Sequence, residues 1–168
     1  MVLRFVRSGS ALVAATLVVA LSACGFHLRG VVDIPPELNP MYIEAPGGSP
    51  VRAAIVQRLS GSQVQLAAKP QDARVIIRIA NESRSSRVAA VDRDGKVLAS
   101  ELHYRVAFEA LAADGEQRVP QQALDLVRTY ENPDVEVLGK QLEADLIYED
   151  LIQEAADRIL GRLRAALL

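Results

Sequence analysis

The stretch VAAVDRDGKVLASELHYRVAFEAL, residues 88–111, contains the pattern that decides the fold. Asp94-Gly95 near its centre is a strong local indication of a tight hairpin turn, and apolar residues lie on both sides of it. In the second half, apolar side chains alternate with mostly polar neighbours; the apolar set is Leu102, Tyr104, Val106, Phe108 and Ala110. This period of two predicts a strand with one buried side and one solvated side.

Further strands are predicted before and after this hairpin. Residues 75–79 form an apolar run typical of a strand, and a second Asp-Gly pair, Asp114-Gly115, turns the chain into another strand over 118–130. The centre of the protein is therefore predicted to be an antiparallel meander. Residues 41–43 and 63–66 are two short additional strand candidates.

A first helix is predicted to begin at Ser49-Pro50, because serine caps a helix N-terminus and proline suits the first turn. Apolar residues then recur at every fourth position, and Gly61 is the predicted end. These recurring residues are Val51, Ile55 and Leu59.

A second, longer helix is predicted to begin within residues 137–140, after Asn132-Pro133 stops the last strand. Its apolar stripe advances by four or five residues and consists of Leu142, Leu146, Leu151, Ala155, Ile159, Leu163 and Leu167. Two helices with about four strands predict an α+β fold, a two-layer sandwich in which an antiparallel or mixed sheet is covered by the two helices.

The N-terminal residues 1–23 have the order of a bacterial secretory signal. Arg4 and Arg7 precede an apolar run at 11–21, and two small residues follow that run. The run is too short for a membrane-spanning helix, which needs about 20 apolar residues. We expect residues 1–23 to be removed from the mature protein.

Cys24 is the only cysteine in the chain, so an intramolecular disulfide cannot form. Leu21-Ser22-Ala23-Cys24 resembles the lipobox of bacterial lipoproteins, in which the cysteine receives a diacylglyceryl group and becomes the new N-terminus. The alternative is a chance cysteine after the apolar run. We expect Cys24 to be the lipid anchor of an acylated N-terminal segment, 24–39, followed by a single α/β sandwich domain at 40–168.

The charge and the motifs exclude several classes of function. Without residues 1–23, 17 Lys and Arg stand against 21 Asp and Glu, and a net charge of about −4 argues against nucleic acid as a partner. The sequence has neither a Gly-x-Ser-x-Gly nucleophile motif nor a glycine-rich phosphate loop, and His27 and His103 lack the spacing of a zinc site. We expect no catalytic residue, metal or cofactor. His103, on the wetter side of its strand, is expected to be solvated or hydrogen-bonded.

Basic residues concentrate around the first hairpin. Arg84, Arg87, Arg93 and Lys96 stand against Asp92 and Asp94, a local charge of +2 in an acidic chain. Such a cluster fits a bound phosphate group, because arginine offers a planar fork to phosphate oxygens. It equally fits a charged, soluble turn, and the residues alone favour that second interpretation.

Four segments carry a resemblance to a known family. They are Cys24-Gly25-Phe26-His27-Leu28-Arg29-Gly30, Val127-Arg128-Thr129-Tyr130-Glu131-Asn132-Pro133, and residues 143–151 and 155–160. In this order they resemble the start of the mature chain, the last strand and the terminal helix of the LPS-assembly lipoproteins of the LptE family.

This resemblance implies a non-enzymatic subunit of the lipopolysaccharide export translocon. Family members are α/β sandwiches that plug the outer-membrane β-barrel LptD and help to assemble it, anchored to the outer membrane on the periplasmic side. The resemblance also implies contacts with lipopolysaccharide through Arg93, at the tip of the first hairpin, and Lys140, just before the terminal helix. The alternative is a generic envelope lipoprotein that acts as a small-ligand-binding module or a hydrolase.

Overall fold

The computed structural model describes residues 35–131 and 137–167, except for the side chains of residues 137, 138 and 140. The predicted signal segment and Cys24 lie outside these ranges. The elements are β1 (Met41–Glu44), α1 (Pro50–Leu59), β2 (Val75–Val91), β3 (Val97–Ala112), β4 (Gln117–Glu131) and α2 (Val137–Leu167). The four strands form one mixed sheet in the order β1-β2-β3-β4. With its two helices, this sheet confirms the predicted α+β fold.

The sheet is built around two long hairpins. β1 runs parallel to β2 and pairs with it from Met41–Val75 to Glu44–Arg78, whereas β2, β3 and β4 form the predicted antiparallel meander. Gly95 and Gly115 have φ values of 81° and 87°, in the left-handed region that glycine adopts without steric cost. The Asp-Gly pairs therefore mark both turns correctly.

Two strand predictions differ from the structure. Residues 75–79, predicted as a separate strand, and residues 88–91, which precede the first hairpin turn, belong to one continuous β2, in which a bulge lies between Ile79 and Asn81. Residues 63–66 form only an isolated bridge, between Leu66 and Met41. The prediction of a strand there was wrong because the segment exchanges backbone hydrogen bonds with Met41 alone, through Gln65 O and the Ala67 N–H.

Both helices pack on the same face of the sheet. α1 begins as predicted: the Ser49 hydroxyl accepts a hydrogen bond from the Arg52 N–H at 3.2 Å, and Pro50 occupies the first helical position. The helix ends at Leu59, just before the predicted Gly61. Together the elements enclose one core whose largest fully buried side chains include Tyr104, Phe108, Met41, Ile55, Leu59, Ile77, Leu151, Ile159, Leu160 and Leu163.

The apolar stripe of α2 is shorter than predicted. From Leu151 to Leu163 its apolar side chains are buried, but Leu142 and Leu146 are 61% and 63% exposed. The step from Leu146 to Leu151 is five residues, which rotates the side chain by about 140° around a helix with 3.6 residues per turn. Leu142 and Leu146 therefore lie on the outer side of α2, away from the sheet.

Candidate functional site

The turn of the first hairpin holds Arg93 at the far end of the sheet. The Gly95 N–H donates to the Asp92 carbonyl at 3.2 Å, and the Asp92 N–H donates to the Lys96 carbonyl at 2.9 Å. The Asp92 carboxylate accepts two further bonds, from the N–H groups of Asp94 (2.9 Å) and Lys96 (2.8 Å). The turn backbone is thus fixed by its own residues.

Arg93 is exposed, and its guanidinium forms no ion pair with any residue in the described ranges. Since Asp92 uses its Oδ1 atom on backbone N–H groups, the neighbouring carboxylate does not neutralise the arginine by direct contact. Arg93 can therefore meet an anion from solvent without first breaking a bond inside the turn.

Two other basic residues of the hairpin are already engaged. The Arg84 guanidinium lies 5.2 Å from the centre of the Tyr148 ring, in cation–π contact with α2. Arg87 lies on the opposite side of the sheet, where its Nη2 atom is 2.5 Å from Glu101 Oε2. The basic cluster seen in the sequence is consequently divided between two faces of the sheet and does not form a single anion site.

Exposed apolar side chains lie on the two strands that lead into and out of the hairpin turn. Val88, Val91 and Leu98 are 57%, 54% and 47% exposed, although they belong to strands whose other ends are buried. A guanidinium beside exposed apolar groups has the chemistry to bind an amphiphile that carries both an anionic group and hydrocarbon. This apolar rim is not predicted above, although the run Val88-Ala89-Ala90-Val91 next to a charged turn is a sequence signal for it.

Lys140 lies in the first turn of α2. The direction of α2 follows from two contacts: the Tyr148 hydroxyl donates to the Ser85 carbonyl at 2.8 Å, and Arg162 donates to Gln122 at 3.1 Å. Gln122 pairs with Phe108, which lies beside Ile79 on β2, so Ser85 is about six residues nearer the hairpin turn than the level of Gln122. The first turn of α2 therefore points toward the hairpin end, the same end as Arg93. The Lys140 side chain is outside the described part.

Residues 38–163 match the family LptE, lipopolysaccharide-assembly. The chain belongs to the LptE family. It is 26% identical over 148 residues to the LPS-assembly lipoprotein LptE of Photorhabdus laumondii, which covers 87% of this chain and 80% of the relative. It is 28% identical over 149 residues to the LPS-assembly lipoprotein LptE of Yersinia enterocolitica, with 87% and 70% covered. The predicted family is confirmed, and membership gives this lipoprotein a role in lipopolysaccharide assembly.

Solved structures agree with the fold of this LptE-family chain. The solution structure of an uncharacterized lipoprotein B from Nitrosomonas europaea superposes with a TM-score of 0.71 at 29% identity, covering 84% of this chain and 91% of that one. A rare lipoprotein B from Shewanella oneidensis superposes with a TM-score of 0.68 at 21% identity, covering 76% and 95%. The second likeness concerns the fold alone.

The face of the LptE-family sheet opposite the helices carries charged side chains in rows across the strands. Arg78 of β2 bonds to Glu44 of β1 at 2.8 Å and to Glu109 of β3 at 3.0 Å, and Gln117 of β4 bonds to Glu109 at 3.0 Å. Each row thus pairs charges between neighbouring strands. At its base the same face carries a small apolar cluster of Ala73, Ile76 and Leu111, and beyond that cluster its charges are largely paired with one another.

His103 lies in a second such row. It is buried, with only 6% of its surface exposed, whereas the sequence predicts it on the wetter side of its strand. Its Nδ1 atom is 3.1 Å from Asp125 Oδ1, and its Nε2 atom is 3.4 Å from Glu101 Oε2. Of the two states predicted for His103, the hydrogen-bonded state is observed. The solvated state is not, because long charged side chains cover the ring. Partial burial acts to raise the pKa of Asp125, but bonds from Arg105 and His103 hold that pKa below its usual value. The Arg87 guanidinium likewise lowers the pKa of Glu101.

A hydroxyl, a carboxylate and a phenol meet beside a cavity of about 350 Å³ at the start of α1. The Ser49 hydroxyl donates to Glu82 at 2.6 Å, the Val51 N–H donates to Glu82 at 3.2 Å, and the Tyr104 hydroxyl also donates to Glu82. Burial, reinforced by Glu82, raises the pKa of Tyr104, so its hydroxyl keeps its proton. The carboxylate that accepts the Ser49 hydrogen bond is shared with two other donors. These bonds connect β2 to the start of α1.

Within residues 35–131 and 137–167, no group of three or more His, Cys, Asp or Glu side chains is arranged to hold a metal ion. In the same part of the chain, neither helix has the combination of length and apolar character that crossing a bilayer requires.

Proposed function

We propose that this LptE-family chain is the non-enzymatic lipoprotein subunit that plugs the outer-membrane barrel LptD and helps to assemble it. In this proposal, Cys24 anchors the protein on the periplasmic side of the outer membrane, and the domain at 40–168 enters the barrel. The observation that carries the proposal is the match of residues 38–163 to the lipopolysaccharide-assembly family.

The helix-free face of the sheet supports a role as a plug. The lumen of a large outer-membrane barrel is polar. A surface that enters it must carry polar groups without leaving many charges unpaired, since each buried unpaired charge costs free energy. The rows around Arg78 and His103 meet both conditions, because the positive groups on this face bond to carboxylates on adjacent strands.

The hairpin end supports a contact with lipopolysaccharide, a glycolipid with phosphates and acyl chains. Arg93 is exposed and forms no ion pair with the described residues, and Val88, Val91 and Leu98 provide apolar surface beside it. Lys140, in the first turn of α2, lies toward the same end. Arginine and lysine would bind the phosphates, and the apolar rim would contact hydrocarbon.

Copurification from detergent-solubilised outer membranes tests the plug. The acylated full chain is expected to carry a large β-barrel protein in a one-to-one ratio. Cys24→Ser, which removes the acylated thiol, is the matched control and is expected to yield less of the barrel, because the domain is no longer held at the membrane. Recovery of the acylated chain as a free monomer would contradict the proposal and favour a generic envelope lipoprotein.

Charge reversal at the hairpin end tests the lipopolysaccharide contact. Arg93→Glu combined with Lys140→Glu is expected to weaken binding of purified lipopolysaccharide by about tenfold or more, because two charge-assisted contacts become repulsive. Arg118→Glu with Arg164→Glu changes two exposed arginines elsewhere by the same charge and is expected to leave binding unchanged. Unchanged binding in the first variant, with its circular dichroism preserved, would remove Arg93 and Lys140 from the site.

A further inference from the structure

The outer edge of β2 has no strand beside it over most of its length. β1 pairs with β2 only as far as Arg78, and the start of α1 reaches β2 at Glu82. Beyond that point, every residue from 83 to 91 is exposed, and within the described ranges β3 is the only strand that pairs with this stretch. We call residues 83–91 the β2 edge. At about 3.3 Å per residue it is roughly 30 Å long.

This edge is poorly protected against strand pairing. Unpaired N–H and C=O groups along an edge form a template for another strand, and proteins usually block it with proline, bulges or lysine. The β2 edge has no proline, and its register with β3 is regular from Asn81 to Val88; its bulges lie only in the last residues, between Val88 and Val91. β4, the opposite edge of the sheet, contains Pro120 and has bulges where it begins. Small serine side chains at 83, 85 and 86 leave the backbone of the β2 edge accessible.

One contact shows that the edge accepts hydrogen bonds. The Tyr148 hydroxyl of α2 donates to the Ser85 carbonyl at 2.8 Å, in addition to the pairing of Ser85 with His103 on β3. Among the described side chains of residues 35–131 and 137–167, no other one donates a hydrogen bond to the backbone of the β2 edge. An added strand would replace the tyrosine hydroxyl with a backbone N–H and would bond to the remaining edge groups as well.

The charge of the edge indicates what can occupy it. Arg84 and Arg87 are exposed on opposite faces, and they differ in their partners. Arg87 is paired with Glu101 of β3, whereas the side-chain contact of Arg84 in the described part is the Tyr148 ring. Glu82, the nearest carboxylate on β2, is already bonded to other donors. A second copy of the chain would bring another Arg84 to the interface, and like charges on adjacent strands destabilise pairing. An extended segment that carries carboxylates would be attracted to Arg84.

We propose that the β2 edge binds an extended, carboxylate-bearing segment of a partner protein, which adds to the sheet beside β2 through backbone hydrogen bonds. The partner is the barrel subunit, so this inference rests on the proposed plug function. The added strand would continue the sheet on the side that β1 leaves open, and residues 83–91 would gain the second strand partner that β3 alone does not supply.

Hydrogen exchange of the full chain, free in detergent and in the purified barrel complex, tests this inference. Because alternate residues of an edge strand point outward, roughly four or five amides in a peptide covering the β2 edge are expected to become protected in the complex. A peptide covering residues 121–131 of β4 is the control edge and is expected to change much less. Equal protection of both edges, or none at the β2 edge of an intact complex, would overturn strand addition while leaving the plug function standing. Failure to isolate a complex would overturn both.

Charge variants separate strand addition from simple enclosure. Arg84→Glu with Arg87→Glu is expected to dissociate from the barrel at lower salt and to lose the protection at residues 83–91. Arg84→Lys with Arg87→Lys keeps the charges and is expected to retain both. Loss in the lysine variant as well would show that charge is not what the partner recognises. The same protection in a dimer of the free chain would assign the edge to a second copy. Either result would overturn the proposal.

Discussion

The two halves of the long β2–β3 hairpin share the same strand pairing but differ in how far their apolar side chains are buried. In the covered half, under the helices, Ile77, Ile79 and Phe108 are buried at 0–2% exposure. In the hairpin half, beyond the Ser86–Leu102 pair, Val88 and Leu98 are about half exposed. The same two strands run through both halves, so burial of an apolar side chain is decided by the second layer above the sheet. One half stabilises the fold, and the other is available for binding.

The largest expected change in the free energy of unfolding comes from a substitution in the covered half. Phe108→Ala is expected to destabilise the protein by about 3–5 kcal/mol, because it removes a fully buried ring and leaves a cavity in the core. Urea unfolding of the variant and of Val88→Ala, the matched change in the hairpin half, measures the difference. Similar losses in both would refute the distinction between the halves.

Tyr104→Phe removes the hydroxyl that donates to Glu82 where the covered half ends. Glu82 would keep its bonds from Ser49 and Val51, so we expect a loss of about 1.5–3 kcal/mol, the range for a hydrogen bond to a charged group. Thermal or urea unfolding gives the value. A variant as stable as the wild type would mean that the Tyr104–Glu82 hydrogen bond does not contribute to the free energy of unfolding.

Acid is expected to weaken the ion pairs of Glu101 and Asp125 on the helix-free face. The pKa values of Glu101 and Asp125 are lowered by their cationic partners, so their contribution is present above the ordinary carboxyl pKa of about 4 and is lost as pH falls through the lower folded values. Melting temperatures between about pH 5 and pH 3 are expected to fall more for the wild type than for Glu101→Gln with Asp125→Asn. Parallel curves would show that these pairs do not stabilise the fold.

The smallest effect on stability is expected in the hairpin half. Val88→Ser with Leu98→Ser should change the free energy of unfolding by no more than about 0.5 kcal/mol per site, because both side chains are exposed. The same variant is expected to bind lipopolysaccharide more weakly, since it removes apolar surface near Arg93. A large loss of stability with unchanged binding would reverse the roles assigned to the two halves.

The sequence predicts those features that depend on local chemistry. Both Asp-Gly turns are correct because glycine adopts the positive φ that the turns need, and the start of α1 is correct because Ser49 and Pro50 act within one turn. The location of Arg93 at the tip follows directly from the first turn.

The features that the sequence does not predict depend on contacts between distant residues. The bulge after Ile79 changes which residues of β2 face the helices, and it brings Glu82 to Ser49 and Tyr104. The five-residue step after Leu146 turns that leucine outward, although the spacing of the apolar residues along the sequence suggests a continuous stripe. His103 is buried only because residues on β3 and β4 cover it, and the apolar rim is exposed only because no helix covers Val88 and Leu98 in the described part.

The length of β2 has a mechanical consequence. Seventeen residues of strand extend roughly 55 Å, almost twice the roughly 30 Å of hydrocarbon in a bilayer. The described chain enters the sheet at the base of this arm, where the Arg74 N–H donates to the Pro40 carbonyl, and Arg93 lies at the other extremity. With the anchoring proposed above, this arm is long enough for Arg93 to reach the depth of the opposite leaflet.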